Sequence, residues 1–189
     1  PSGVSALTIG YYGLVKVRIS VSEPTAHTAG KGVRTAGDRL VEVLHGVRRG
    51  IESLHPAVLI AVLGVRAQNQ VVDVRLPPEL PVEELVASIR SRVAEPVKAE
   101  VLRAVPGKVV SRSTTLVKSF HRAFGAAGVK PRFLLKKGSS DMNTLATTWN
   151  GVPMVAYGPG DAKLDHTPEE RVEGPEFRRA QRILQAALR

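Results

Sequence analysis

The first half of the chain has the apolar spacing of a half-buried sheet. From Leu14 to Val21 the residues alternate, with Val15, Val17, Ile19 and Val21 on one face and Lys16, Arg18 and Ser20 on the other. A period of two predicts a strand with one buried face. Val58–Val65 is a continuous apolar run of strand length, and alternation returns over Val72–Leu76. We expect the turn Gln68-Asn69-Gln70 to join these two strands as a hairpin.

Two stretches between these strands have the spacing of helices. Within residues 38–54 the apolar positions step by three and four, at Leu40, Leu44, Val47, Ile51 and Leu54. A second helix is predicted over residues 82–93, after Pro81, and a short strand over Val97–Arg103. The order strand, helix, strand, strand, helix, strand over residues 8–104 matches a ferredoxin-like unit, an antiparallel sheet with two helices on one face.

The pattern changes after Pro106-Gly107. Helices are predicted over residues 113–127 and 141–149, strands over residues 132–135 and 152–157, and a closing helix from near Pro175, marked by Phe177, Ala180, Leu184 and Leu188. Alternating helices and strands indicate an α/β unit with a parallel sheet covered on both faces. Two strands are few for such a sheet, so we expect further strands to be missing.

Composition narrows the classes of function. The chain has no Cys, which excludes disulfides and thiolate metal sites, and no apolar run near the roughly 18 residues of a membrane span. We therefore expect a cytoplasmic protein. The 27 Lys and Arg exceed the 17 Asp and Glu. This excess favours an acidic protein, an acidic substrate or nucleic acid as partner, or only an Arg-rich surface of the kind found in heat-adapted proteins.

Candidate chemistry concentrates between Lys137 and Glu170. Glycine-rich turns at Gly138 and at residues 158–160 flank apolar runs, and the stretch ends in an Asp165-His166 pair. Turns after strands commonly present functional side chains, and His suits metal binding or proton transfer. Asp165 either orients His166 or is a turn residue. Asp141 is interpreted as the cap of the short helix rather than as a substrate contact.

Four segments carry a family resemblance: GSSDMN at residues 138–143, YGPGD at 157–161, DHTPEE at 165–170, and GYYGLVKVRISV at 10–21, followed by AHTAG. Together they resemble the C-terminal half of the dinuclear zinc amidohydrolases, the family of acetylornithine deacetylase, succinyl-diaminopimelate desuccinylase and glutamate-releasing carboxypeptidases. The branch that the chain resembles most releases lysine or ornithine from an acidic amino-group carrier protein.

The resemblance implies a different role for each part of the chain. Residues 1–7 would be a hinge from the N-terminal half, residues 8–104 a ferredoxin-like lid that dimerises, and residues 105–189 the C-terminal part of the catalytic α/β domain. His27 matches the lid histidine that polarises the scissile carbonyl in the partner's site. His166 matches a ligand of one of two zinc or cobalt ions, and Gly138 and Ser139 match the turn that holds the substrate carboxylate.

The family's other metal ligands are absent from the chain, which opens with Pro1-Ser2-Gly3. We therefore expect an incomplete hydrolase of lysine and arginine biosynthesis that is inactive and poor in metal when alone. Its expected partners are a second copy, bound through the lid, and the acidic carrier on the basic surface. A deacetylase of N-acetylornithine or N-acetyl-lysine, a related aminoacylase or carboxypeptidase, and a non-catalytic dimerisation module are the alternatives. No membrane partner is expected, and no nucleic-acid partner, because VVDVRL lacks exposed aromatic residues.

Overall fold

The structure is a computed structural model that describes residues 3–21, 35–66 and 69–189. These form two compact units, residues 12–107, and the residues up to Tyr11 combined with Lys108–Arg189. Within the described residues, no helix has the length and apolar character needed to cross a bilayer. In chain order the elements are β1 (Ala6–Tyr11), β2 (Gly13–Val21), α1 (Ala36–Glu52), β3 (Leu59–Arg66), β4 (Asn69–Leu76), α2 (Val82–Arg90), β5 (Val97–Val105), β6 (Lys108–Val109), α3 (Thr115–Ala126), β7 (Arg132–Lys136), α4 (Asp141–Thr148) and α5 (Gly174–Ala187).

The unit of residues 12–107 is built on an antiparallel sheet with the strand order β3-β4-β2-β5. The predicted alternation of β2 is confirmed, because its apolar positions are buried while Arg18 is exposed. Helices α1 and α2 bury their apolar stripes in the same core as the sheet, and both predicted helices are confirmed. The fully buried side chains of this core include Val15, Val17, Ile19, Leu40, Val47, Ile51, Val72, Leu76 and Leu85.

The hairpin predicted between β3 and β4 is confirmed, but β4 begins earlier than expected. The strands pair antiparallel from Leu59 opposite Arg75 to Arg66 opposite Asn69. Asn69 and Gln70 are therefore part of β4, and their assignment to the turn is wrong. Gln70 is buried because it lies within the sheet, so its polar side chain gave a misleading turn signal.

The second unit has a three-stranded mixed sheet with the order β6-β1-β7. β1 runs parallel to β7 and antiparallel to β6, so the prediction of an entirely parallel sheet is wrong. The strand predicted over residues 152–157 is also wrong, because this run makes a single antiparallel bridge, Thr8 to Ala156. Pro153 and Pro159 have no N–H to donate, and Gly151 has a positive φ of 78°, which together limit pairing.

Helix α5 buries a different face from the one that its large residues mark. Phe177, Leu184 and Leu188 are 55%, 40% and 69% exposed, whereas Ala180, Ile183 and Ala187 are buried. α5 packs against α3, where Ala123, Ala126 and Ala127 face Ile183 and Ala186 across a shared groove. Small side chains let the two helices approach closely. Phe177, Leu184 and Leu188 of α5 are therefore only partly covered inside this unit.

Gly10 in β1 is expected to tolerate no side chain. A Cβ atom at this position would lie 2.5 Å from the Lys108 carbonyl oxygen and 2.9 Å from Cδ1 of Leu135. We expect Gly10→Ala to lower the free energy of unfolding by about 1–3 kcal/mol, because the backbone of β6 must shift. Urea denaturation measures the loss. The control is Gly125→Ala in α3, where a Cβ atom meets no neighbour within 4 Å; a gain of up to about 1 kcal/mol is expected there.

Candidate functional site

Several candidate site residues of the second unit lie where its two parallel strands end. β1 and β7 finish side by side, with Tyr11 opposite Lys136. The turn that holds Gly138, Ser139 and Ser140 follows β7 directly. In open α/β sheets ligands bind outside the carboxyl ends of the strands, so this edge is the natural place for a site.

Ser140 fixes the start of helix α4 at this edge. Its hydroxyl accepts a hydrogen bond of 3.2 Å from the Met142 N–H, and its own N–H donates one of 2.9 Å to Oδ1 of Asn143. The Ser140 hydroxyl also accepts from the Asn143 N–H, which completes a capping box with Asn143, so Ser140 is the N-cap. The interpretation of Asp141 as the cap is wrong. Asp141 is the first residue of the helix, where its charge complements the helix dipole.

Tyr11 connects two parts of the site. Its side chain is buried, and its hydroxyl is hydrogen-bonded to the side chains of Thr8 and Ser140. Burial raises the pKa of Tyr11, the two hydrogen bonds oppose that rise, and the negative charge of Asp165 adds to it. Tyr11 thus connects the end of β1 with the turn before α4, and its phenol is influenced by the charge of Asp165 in the turn that carries His166.

His166 occupies an unusual backbone conformation beside Asp165. Its φ is 65°, in the left-handed region that side chains rarely adopt, and its N–H donates a 3.0 Å hydrogen bond to Oε2 of Glu170. The preceding turn is closed by the N–H of Leu164, which donates to the Asp161 carbonyl oxygen at 3.0 Å. Left-handed non-glycine residues concentrate at sites where strain is held for a functional reason. The His166 imidazole is exposed.

The YGPGD segment, residues 157–161, precedes this turn and is held in place by hydrogen bonds and aromatic packing. The hydroxyl of Tyr157 donates to the Val4 carbonyl oxygen at 3.2 Å, and its ring packs against Phe120 and Phe124 at centroid distances of 5.3 and 5.6 Å. Gly160 has a φ of 101°, and its N–H donates to Oε1 of Glu176 at 3.1 Å. Only glycine adopts that φ without strain, so the tight turn depends on it.

Burial raises the pKa of Tyr157 to about 12. The unfolded phenol titrates near pH 10, so the neutral form is favoured in the fold. The stability contributed by this group is complete below about pH 10 and is lost as the pH rises through about 12. We expect the free energy of unfolding to fall over this window and the fall to be shallower in Tyr157→Phe. Urea titrations at a series of alkaline pH values measure the slope; an unchanged slope would contradict the assignment.

Two open concavities meet at Tyr11. One, of about 420 Å³, is lined by Tyr11, Lys136, Tyr157, Gly158, Pro159 and Phe177, among others. The other, of about 560 Å³, is lined by Tyr11, Ser140, Asp141 and a series of apolar side chains that includes Leu145, Trp149, Leu184 and Leu188. Both volumes are in the range of ligand pockets. The strand edge therefore offers one polar cluster between two partly apolar hollows.

The site residues predicted from the sequence are distributed unevenly over the structure. Gly138 is exposed with open space around it, and Ser139 is half-buried beside Ser140. His27 lies outside the described residues. Across residues 3–21, 35–66 and 69–189, His, Cys, Asp and Glu side chains nowhere gather in a group of three or more that could hold a metal ion. The described residues therefore do not fit a metal centre by themselves.

The sequence patterns missed Thr8 and Ser140, and for Tyr11 they suggested only a place at the substrate entrance. Thr8 is 2% exposed in a strand whose other inward positions are apolar. A lone polar residue in the run ALTIGYY could have drawn attention to it, because buried polar groups need a partner. Ser140 had a clear signal in the S-x-x-N spacing of a capping box. No periodic pattern brings residue 11 next to residue 140.

Comparison with known proteins gives the family context. No protein-family model matches the chain. Over its whole length the chain is 33% identical to the [LysW]-lysine hydrolase of Deinococcus radiodurans, of which it covers 57%. The chain is a homologue of that hydrolase. It is also 23% identical over 91% of its length to the [LysW]-lysine/[LysW]-ornithine hydrolase of Saccharolobus solfataricus. The resemblance in the sequence motifs is thus confirmed, and the chain spans about half the length of these relatives.

Solved structures agree on the fold. The chain superimposes on an M20 family metallo-carboxypeptidase from Sulfolobus solfataricus with a TM-score of 0.74, at 13% identity, over 97% of this chain and 59% of that one. The aminopeptidase PepT of Bacillus cereus gives a TM-score of 0.71 at 19% identity, over 98% of this chain and 54% of that one. At such identities the likeness establishes a shared mixed α/β fold.

Proposed function

We propose that this chain is part of a metal-dependent amide hydrolase that releases lysine or ornithine from an acidic, LysW-type carrier protein. The observation that carries the proposal is the similarity over the whole chain to a [LysW]-lysine hydrolase. The geometry supports it, because Tyr11 and Ser140 meet at the carboxyl edge of parallel strands and the charge of Asp165 acts on Tyr11. This edge adjoins the two turns that match the family's carboxylate-binding and metal-binding motifs.

The complete enzyme requires polypeptide beyond these 189 residues. The chain spans about half the length of its relatives, and Leu145, Trp149, Leu184 and Leu188 line one hollow with between 39% and 69% of each side chain exposed. Apolar surface of this extent is uncommon on a finished monomer and usually marks an interface. We propose that the remaining half of the hydrolase packs against this hollow and supplies the other metal ligands.

The proposed roles follow the motifs residue by residue. His166 supplies one ligand of a site for two zinc or cobalt ions, and Gly138 and Ser139 hold the substrate carboxylate. The unit of residues 12–107 acts as a ferredoxin-like lid and dimerisation domain; the predicted bounds 8–104 shift because β1 belongs to the sheet of the other unit. The strand order β3-β4-β2-β5 is compatible with that class. The residues up to Tyr11 and residues 108–189 act as the C-terminal part of the catalytic domain, where the sequence predicted residues 105–189. Of the predicted hinge, residues 1–7, Ala6 and Leu7 belong to β1. His27 of one subunit then acts in the partner's site. A cytoplasmic location accords with a biosynthetic role.

The test is reconstitution. The chain is co-expressed with the half of the Deinococcus hydrolase that it does not cover, and release of lysine from LysW-bound lysine is measured with added zinc or cobalt. We expect hydrolysis by the pair and none by the chain alone. N-acetyl-lysine and N-acetylornithine, offered in parallel, distinguish the deacetylase alternative. A stable complex that cleaves none of the three substrates would contradict the proposal.

A non-catalytic dimerisation module is the second candidate. It is favoured by residues 12–107, which form a compact unit with a hydrophobic core of their own. Light scattering of the chain alone, combined with the hydrolysis assay, separates the two functions. A dimer that remains inactive in the reconstituted pair supports the module, whereas metal-dependent hydrolysis excludes it.

A further inference from the structure

One segment of the chain has positive charge without any acidic residue. From Val101 to Ser140 the sequence contains no Asp or Glu. This segment forms most of β5, all of β6, α3 and β7, and the turn of the candidate site. The basic residues that it carries are Arg103, Lys108, Arg112, Lys118, Arg122, Lys130, Arg132, Lys136 and Lys137.

Several of these basic side chains, on and before helix α3, lie around the aromatic ring of Phe133 in strand β7. Lys118, His121 and Arg122 are three and four residues apart on α3, so they lie on one face of the helix. The guanidinium of Arg112 lies 4.9 Å from the centroid of the Phe133 ring, and the His121 ring stacks on Phe133 at 6.4 Å with an interplanar angle of 9°. With Val117, these side chains line a hollow of about 360 Å³.

The cations of this hollow are not neutralised by the fold. Within residues 3–21, 35–66 and 69–189, the ion pairs join other residues, such as Arg18 with Glu100 and Arg171 with Glu173. Arg122 donates only to the hydroxyl of Ser119, at 3.1 Å. Arg112, Lys118 and Arg122 are all exposed. They therefore keep their charge and their hydrogen-bond donors for a partner, in contrast to the paired arginines elsewhere.

We propose that Arg112, Lys118, His121, Arg122 and Phe133, the α3 basic face, form the docking surface for an acidic polypeptide. The inference rests on the proposed function, in which the substrate is attached to an acidic carrier. Guanidinium groups bind carboxylates with paired hydrogen bonds, and a one-sign patch attracts an oppositely charged protein over long range. The face adjoins β7, which leads directly into the turn of Gly138 and Ser139.

A nucleic acid is less well matched to the same face. Single strands bind by stacking their bases on open aromatic rings. Phe133 is the aromatic ring of this hollow, and it already contacts Arg112 and His121. Carboxylates need no open ring, because they bind the exposed nitrogen atoms directly. The charge complementarity therefore favours an acidic polypeptide.

The test measures binding of a fluorescein-labelled peptide of Glu and Asp to the full chain by fluorescence anisotropy at low salt. We expect Lys118→Glu with Arg122→Glu to weaken binding by about tenfold or more, and added salt to weaken the binding of the unaltered chain. Arg90→Glu with Arg103→Glu is the matched control, since both arginines are exposed, lie in the other unit and change the net charge equally. That pair is expected to keep most of the affinity.

Three results would overturn the docking surface: equal losses in both pairs, no loss in either, or preferential salt-sensitive binding of an oligo-dT strand that depends on the same two residues. Circular dichroism checks folding, and Lys118→Gln with Arg122→Gln replaces the Glu pair if that pair is unfolded. The hydrolysis assay is a separate readout. If the reconstituted pair hydrolyses its substrate but the chain does not bind the acidic peptide, only the docking surface is contradicted. If the chain binds the peptide but the pair does not hydrolyse its substrate, only the proposed activity is contradicted.

Discussion

Replacing Phe124 by alanine is expected to lower the free energy of unfolding by about 3–5 kcal/mol. Phe124 is fully buried, at 0% exposure, in the core of the second unit. Its ring contacts Tyr157 at 5.6 Å in an edge-on arrangement and Phe120 at 6.2 Å. Truncation removes these contacts and leaves a cavity between α3 and the YGPGD segment, which the packed neighbours can fill only in part.

Urea unfolding, monitored by tryptophan fluorescence, measures this loss of stability in the unit that contains Phe124. The chain has a single Trp, Trp149, and it belongs to the same unit as Phe124. The control is Phe177→Ala, which removes an equal side chain that is 55% exposed; a change within about 0.5 kcal/mol is expected there. Similar losses in the two variants would show that burial in this core is not what gives Phe124 its effect.

The architecture of residues 12–107 was largely predictable because local patterns decide it. β2 buries every second residue, so its alternation is visible in the sequence alone. The stripe of α1 and the capping box between Thr35 and Asp38 are equally local signals. The hairpin turn was misplaced because Gln70 is polar yet buried, and its position depends on the pairing of β4 with its neighbours.

The second unit was less predictable because its sheet joins distant segments. β1 pairs with β7 more than a hundred residues away, and β1 was not anticipated as a strand. The exposed stripe of Phe177, Leu184 and Leu188 reads as a core-facing pattern, yet the helix buries its small residues against α3. An apolar face that a longer protein covers has the same sequence pattern as one that this chain covers itself.

Only the local features of the candidate site could be predicted from the sequence. The motif segments identified the turns at residues 138–140 and 165–166, because turn chemistry is local. The hydrogen bonds of Tyr11 to Ser140 and Thr8 depend on the register of β1 with β7, so sequence patterns could not predict them. The roles of His27, Gly138, Ser139 and His166 stay predictions, and the reconstituted enzyme is where they can be measured.

Removing the His166 imidazole is expected to lower metal-dependent hydrolysis by the reconstituted enzyme on the order of a thousandfold, because a lost ligand removes the metal or displaces it. The backbone complicates a simple alanine variant. His166 has a φ of 65°, and alanine at that φ is strained by roughly 1–2 kcal/mol. Asparagine adopts this conformation more readily than other residues, so His166→Asn removes the imidazole while it keeps the turn.

Comparing His166→Ala with His166→Asn separates the loss of the metal ligand from the loss of stability. Activity and bound metal should fall together in His166→Ala and in His166→Asn, while only the alanine variant should lose stability. His45→Ala, which alters an exposed histidine of the other unit, should leave both quantities unchanged. If His166→Asn keeps its metal and its activity, His166 is not a ligand, and its left-handed turn then serves only to position Asp165.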